Sequence, residues 1–206
     1  MMTATTQLPD LIARLRDLAQ GPGRCMVALA GPPGAGKSHV TDALLADLPG
    51  AALLPMDGYH LDDRLLSARG DLPRKGAPWT FDLDGFAAML DRLAADDGRG
   101  VLVPVFDRDL EISRAAAREI PASARLILVE GNYLLLDRPG WRDLAHHFAL
   151  TVMLDVPQSV LRARLTARWR DLPPDQARAK LEANDLPNME LVLTASRAPD
   201  LILPNG

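Results

Sequence analysis

Gly31-Pro-Pro-Gly-Ala-Gly-Lys-Ser38 brings three glycines, a lysine and a hydroxyl together at a spacing suited to holding phosphate. It fits G-x-x-x-x-G-K-[ST], the P-loop pattern. Gly31, Gly34 and Gly36 permit left-handed torsions and close approach of the backbone to phosphate oxygens, with Pro32, Pro33 and Ala35 completing the turn. The apolar run Cys25 to Ala30 reads as a strand entering the loop, and the chain from Lys37 onward reads as a helix leaving it. Backbone N–H groups of such a loop and of the following helix N-terminus converge on an anion. Lys37 is then expected to reach the β- and γ-phosphates of a nucleotide, with the Ser38 hydroxyl on Mg²⁺ and His39 beside them.

A P-loop alone does not separate a kinase from a GTPase, a motor or a passive nucleotide sensor. Asp57 falls at the carboxyl end of the run Ala51 to Met56, where ligands bind in open α/β sheets. A carboxylate there can take the proton of a substrate hydroxyl or help hold Mg²⁺; as a turn residue of Asp57-Gly58 it would do neither. Tyr59, His60, Asp62 and Asp63 crowd polar groups behind it. Glu130 ends the apolar run from Arg125 and precedes Gly131-Asn132. An acidic residue at such a strand end can reach the Mg²⁺ shell or bind substrate, and a buried carboxylate without a partner is costly. Arg162, Arg164, Arg168 and Arg170 follow the last long strand. Arg164 and Arg168 share one helix face, either as a lid over phosphates or as a solvated basic surface. Arg74, Lys75, Asp82, Asp107 and Arg108 sit in loops on the predicted substrate side. His146, His147 and His39 lack metal-ligand spacing with a cysteine or with another histidine, so no zinc is expected. Asp82-Leu-Asp-Gly85 matches the D-x-x-G of GTPases, but no N-K-x-D segment accompanies it.

Elements that alternate between strand and helix must position these groups. An amphipathic helix over 7–20 leads, ended by Gly21-Pro-Gly23. Between residues 69 and 82 lies a Gly/Pro-rich loop, kept ordered by Trp79 and Phe81. A helix spans Asp84 to Ala95 with Asp84 as its N-cap, then a strand over Val101 to Phe106 is interrupted at Pro104, at an edge or a ligand-lined mouth. Helical signals return at Trp141 to His147, a strand covers Leu150 to Val156, and a helix covers Gln158 to Trp169. One helix runs to about Asn184, a separate one follows Pro187, and Asp200 to Leu203 closes as a strand. The pattern predicts an α/β fold in three layers, α/β/α, with a mainly parallel sheet flanked by helices. With no repeat or linker, the 206 residues read as a single domain whose lid lies at about 162–174.

Composition narrows the classes further. A net charge of −4 argues against a general nucleic-acid binder. The lone cysteine, Cys25, cannot build a disulfide framework; a buried, cytoplasmic residue is expected. No run approaches the ~18 apolar residues of a membrane span.

Taken together, the P-loop, Pro55-Met-Asp-Gly-Tyr-His60, Arg74-Lys-Gly-Ala-Pro-Trp-Thr-Phe-Asp82, Pro104-Val-Phe-Asp-Arg108 and Val129-Glu-Gly-Asn-Tyr133 resemble the phosphoribulokinase, uridine kinase and pantothenate kinase group. Within it the chain looks most like small bacterial proteins labelled fructose transport system kinases. The resemblance runs from about Cys25 to Leu203. It implies a P-loop kinase using ATP and Mg²⁺ to phosphorylate a hydroxyl of a small metabolite, as a monomer or homodimer. By matching position, Asp57 takes the catalytic or metal-linked role, and Asp107 and Arg108 face the acceptor. Glu130 and Asn132 match the Glu-Gly segment, Arg164 and Arg168 the lid arginines, and Asn184 and Asn188 the segment near the adenine. The group's pantothenate and uridine enzymes carry longer acceptor segments, so a compact sugar, polyol or hydroxy acid is expected instead. The alternatives are a non-catalytic ATP-binding regulator of a transport system and a nucleoside- or pantothenate-type kinase.

Overall fold

The structure is a computed structural model that describes residues 3–206. Its strands are β1 (Ala4–Thr5), β2 (Cys25–Ala30), β3 (Ala51–Pro55), β4 (Val101–Asp107), β5 (Ile112–Ile120), β6 (Leu126–Gly131), β7 (Phe148–Asp155) and β8 (Leu201–Pro204). Its helices are α1 (Leu8–Ala19), α2 (Lys37–Asp47), α3 (Asp63–Arg69), α4 (Leu83–Ala94), α5 (Gln158–Arg168), α6 (Pro174–Lys180) and α7 (Leu186–Ala195). Six strands form one parallel sheet in the order β1-β8-β7-β2-β6-β3, with helices on both faces. The fold is a three-layer α/β/α arrangement of the P-loop kind.

The central strands are buried on both faces, which is why they read as unbroken apolar runs rather than alternating ones. Met26, Ala28 and Ala30 of β2 face one core, with Ile127 and Val129 of β6 and with Phe86, Leu90 and Leu93 of α4. Val27 and Leu29 face the other, with Leu128, with Leu44 of α2, with Leu161 and Leu165 of α5, and with Leu11, Ile12 and Leu15 of α1. Register then does the positioning. Leu29 and Pro55 both pair with Glu130, so β2, β3 and β6 end level at one carboxyl edge. The P-loop, Asp57 and Glu130 leave the sheet there.

Some local expectations are corrected. Asp82, not Asp84, caps α4: its Oδ1 accepts the Gly85 N–H at 2.9 Å, which leaves Asp84 inside the first turn. Residues 69–82 are ordered as expected, through short 3₁₀ turns at Leu72–Arg74 and Pro78–Thr80 that follow α3. Pro187 does not separate two helices. A π turn over Leu181–Asp185 joins α6 to α7, and its wider winding carries the chain past a residue that has no N–H to give. The helical signals at Trp141 to His147 take the form of a 3₁₀ segment, Arg142–His147.

The strand around Pro104 pairs with β5 in a separate antiparallel hairpin outside the main sheet. Its register shifts between Val103 and Val105, a bulge at the proline that cannot donate to the ladder. This hairpin rests on the 3₁₀ turn Met56–Tyr59. A Cβ on Gly58 would lie 2.4 Å from the Pro104 carbonyl oxygen and 2.7 Å from its carbon. Both atoms are backbone, so Gly58→Ala must push the hairpin off the turn. The expected cost is about 1–3 kcal/mol, read as a lower urea midpoint with an unchanged slope.

Candidate active site

The loop Gly31–Gly36 is shaped by its glycines: φ is +83° at Gly34 and +81° at Gly36. Gly36 is also closely approached, since a Cβ there would meet the Asn205 amide nitrogen at 2.8 Å. Asn205 Nδ2 donates to the Ala35 carbonyl at 2.7 Å, and Arg164 donates to the Gly34 carbonyl at 3.3 Å and to the Asn205 carbonyl at 3.4 Å. The C-terminal tail and α5 therefore brace the loop from outside. Inside it, the buried Lys37 Nζ donates to the Gly31 carbonyl at 3.0 Å, to the Pro32 carbonyl at 3.2 Å and to Asn132 Oδ1. Burial lowers the Lys37 pKa, against the opposing pull of Glu130 and Asp57.

Ser38 Oγ donates to the two Glu130 oxygens at 3.3 and 3.4 Å. Desolvation raises the Glu130 pKa, the Asp57 charge adds to it, and Lys37, Ser38 and Arg108 oppose. A carboxylate and a hydroxyl are hard oxygen donors of the kind Mg²⁺ prefers, and a cation would relieve the cost of ionising Glu130 where it sits. These residues fit the ion.

In the same recess as Ser38 and Glu130, Arg108 Nη2 is ion-paired to Asp57 Oδ2. Burial pushes the Asp57 carboxyl up, but protonated His60, Arg108 and Lys37 outweigh it and hold the pKa below the usual carboxylate range. His60 is packed between Phe81 and Phe106, with ring centroids 4.2 and 4.6 Å away. Its Nδ1–H donates to the Asp57 carbonyl at 2.7 Å, leaving Nε2 for the cleft. Desolvation lowers the His60 pKa, against the pull of Asp57. Lys75 Nζ binds Asp63 Oδ1 and the Glu111 carbonyl, tying the substrate-side turns to the hairpin tip.

Lys37, Ser38, Glu130, Asn132, Asp57, Arg108, His60 and Lys75 open onto one cleft of about 840 Å³. A smaller recess of about 190 Å³ adjoins it and shares Ser38, Asp57, Phe106, Arg108 and Glu130.

A solved structure described as a "putative fructose transport system kinase" from Silicibacter sp. TM1040 has a TM-score of 0.88 to this chain at 42% identity, covering 96% of this chain and 98% of that one. The "Putative uridine kinase C227.14" of Schizosaccharomyces pombe is 30% identical over 210 residues, 94% of this chain and 88% of its own. The chain belongs to the P-loop kinases. The "Uncharacterized protein YggC" of Escherichia coli is also similar, 36% identical over 188 residues, 87% of this chain and 77% of its own. No family model matches the chain.

Of the residues singled out in this kinase, Pro33, Gly34, Gly36, Lys37, Ser38, His39, Asp57, His60, Lys75, Arg108, Glu130, Asn132, Arg164, Arg168, Asn184 and Asn188 line the cleft. Gly31, Pro32 and Ala35 are buried in the loop behind it. Asp62, Arg162 and Arg170 lie outside its lining, as do the four candidate substrate contacts Tyr59, Asp82, Asp107 and Arg74. Tyr59 is buried against Phe86, with centroids 4.9 Å apart. Asp82 is the α4 cap. Asp107 accepts the Asp109 and Leu110 N–H groups at 3.1 Å and pairs with Arg114 at 3.2 Å, closing the hairpin turn. Arg74 stacks on Trp79, 5.1 Å from its ring centre. Asn184 Nδ2 donates to the Lys75 carbonyl at 2.7 Å, and Asn188 bonds to Asn184 at 3.0 Å, so this pair clamps the Lys75–Gly76 turn.

Sequence reasoning missed Glu111, Trp169, Lys180 and Asp185 in the lining, and Asn205 behind the loop. Trp169 Nε1 donates to Asp185 at 2.7 Å and Lys180 lies over the Trp169 ring at 4.9 Å, forming one rim of the cleft. The available signal was the buried acidic residue inside a helix that carries an Asn184–Asn188 pair.

Proposed function

We propose that this chain is an ATP- and Mg²⁺-dependent kinase that transfers the γ-phosphoryl group to a hydroxyl of a small sugar, polyol or hydroxy acid. The whole chain acts as one domain, with the segment 162–174 as its lid, in the cytoplasm. The observation that carries the reading is that Lys37 and Ser38 share one cleft with the Asp57–Arg108 pair. The P-loop groups suit the phosphoryl donor, and the Asp57–Arg108 pair in the same recess as Ser38 suits an acceptor hydroxyl.

Ser38 and Glu130 would hold Mg²⁺, whose charge would offset that of the phosphate oxygens. Lys37 would exchange its two loop carbonyls for phosphate oxygens, and the loop amides and Arg168 would stabilise charge on the moving group. Asp57 would orient the acceptor hydroxyl and receive its proton. Its depressed pKa makes it a weak base, which suits a loose transition state that needs orientation more than early deprotonation. Arg108 and His60 Nε2 would fix the remaining polar groups of the acceptor.

Calorimetric titration with a non-hydrolysable ATP analogue, then a coupled ADP-release screen over sugars, polyols, hydroxy acids and nucleosides, tests this. Acceptor-stimulated turnover is expected. Tight nucleotide binding with no stimulation by any acceptor would favour a regulator, and stimulation by nucleosides alone would move the acceptor class.

A pH dependence follows from Glu130. Only its carboxylate can hold the cation, and its folded pKa is raised. kcat/KM for ATP, which reports the free enzyme, should therefore fall with decreasing pH, beginning above the ~4.3 of an ordinary glutamate. Glu130→Gln should lower kcat/KM for ATP and remove that limb from the profile; an unchanged limb would assign it to another group.

A further inference from the structure

Away from the cleft lining, α4 meets the 3₁₀ turn that feeds β7, and three metal-ligating side chains converge there. One nitrogen from each ring of His146 and His147 and one carboxylate oxygen of Asp91 all lie within 4.8 Å of one another. The hydrogen-bond pattern sets the ring tautomers. His146 Nδ1 lies 2.6 Å from the Asp143 carbonyl and His147 Nδ1 lies 3.2 Å from the Leu144 carbonyl. A carbonyl only accepts, so Nδ1 carries the hydrogen in both rings, and Nε2 is the lone-pair nitrogen of each neutral imidazole. Backbone carbonyls on the far nitrogen are the usual second partners of metal-bound histidines.

His147 Nε2 is 2.8 Å from Asp91 Oδ1. Two lone-pair atoms that close require a positive charge between them, either a second imidazole proton or a metal ion. A proton accounts for the His147–Asp91 distance by itself; the His146 nitrogen beside them adds a third ligand atom, so the same groups can take a metal ion in the proton's place. The His146 ring stacks on that of His147 with centroids 3.8 Å apart. The His147 side chain is only 3% exposed, so its nitrogen is held in place, while Asp91 is 69% exposed and free to adjust. Asp143 is turned away, its carboxylate accepting the Gly140 N–H at 3.0 Å.

We propose that Asp91, His146 and His147 form a surface site for a borderline divalent transition-metal ion such as Zn²⁺, clamping α4 to the turn before β7. Two imidazoles and one carboxylate suit zinc, with water completing the coordination shell. Ligand atoms around tetrahedral zinc stand roughly 3.3 Å apart, from Zn–N and Zn–O bonds of about 2.0–2.1 Å, so the exposed His146 and Asp91 must close in by rotation. Spacing along the chain hides the site, because Asp91 lies 56 residues from His147.

The test is calorimetric titration of Zn²⁺ into the chelator-stripped full chain in excess Mg²⁺, with Co²⁺ absorption as a coordination readout. One Zn²⁺ per chain at micromolar or tighter Kd is expected, together with a Zn²⁺-dependent rise in Tm. His146→Asn and Asp91→Asn, both at exposed positions, should each weaken binding at least tenfold and abolish the Tm rise. The proposal is overturned by the lack of stoichiometric binding, or by binding that both substitutions leave unchanged.

Discussion

Asp57→Asn is expected to lower kcat by about 10²–10⁴-fold, the range for loss of a positioned acid–base group, with ATP-analogue affinity within about twofold of wild type. Asparagine keeps the shape and one acceptor oxygen but cannot take the proton of an acceptor hydroxyl. The split between kcat and nucleotide affinity matters because Asp57 is also within reach of a metal role. If the variant instead required much more Mg²⁺ and bound the analogue weakly, Asp57 would be a metal ligand first. Stability supplies an independent check. The folded pKa of Asp57 is depressed, so its ionised form stabilises the fold above the unfolded value of about 3.9, and that contribution disappears as pH falls through the folded value. Wild type and variant should therefore differ in Tm at neutral pH and converge in acid. Arg108 is 67% exposed, so its partner's removal costs little by itself.

Lys37→Ala should lower kcat/KM for ATP by about 10²–10³-fold, the scale for removing one preorganised charge-stabilising donor. The alanine variant also removes a buried stem and three hydrogen bonds, to Gly31, Pro32 and Asn132, so loss of activity could be confused with loss of the loop. Lys37→Met loses the same three hydrogen bonds but keeps the buried stem, so the two variants together separate packing from charge. It keeps the volume, and burial already disfavours the charge at this position, as the lowered pKa indicates. Its Tm is expected to lie above that of the alanine variant, because the stem still fills the loop, while kcat/KM collapses to the same extent. A methionine variant with near-normal kcat/KM would remove Lys37 from catalysis.

The parts of this kinase that were legible in the sequence are those whose chemistry is local. Gly31 to Ser38 announces itself because torsion, charge and hydroxyl must follow one another along the chain. Glu130 and Asp57 were legible as acidic groups at the ends of apolar runs, and parallel register makes those ends level. What stayed hidden depends on partners distant in sequence. β5 reads Ile-Ser-Arg-Ala-Ala-Ala-Arg-Glu-Ile, mostly exposed and without alternation, and becomes a strand only because β4 pairs with it. Asp107 and Asp82 carried suggestive charges, yet their carboxylates satisfy turn and cap N–H groups, a use that looks the same in sequence as a substrate contact. Asn205 is 170 residues from the Ala35 carbonyl it holds, beyond the reach of any local pattern. Pro187 misled for the opposite reason: its local rule is strong, and the π turn before it supplies the exception.

The central claim is that the P-loop and the Asp57–Arg108 wall serve one transfer, from ATP to a hydroxyl. The most direct measurement is the fate of ATP labelled in its γ-phosphoryl group, incubated with the protein, Mg²⁺ and each member of the acceptor panel. The account predicts label in a phosphate monoester of a small hydroxylated acceptor, absent with Asp57→Asn. Label found only in inorganic phosphate, or left in ATP with every acceptor, would contradict it.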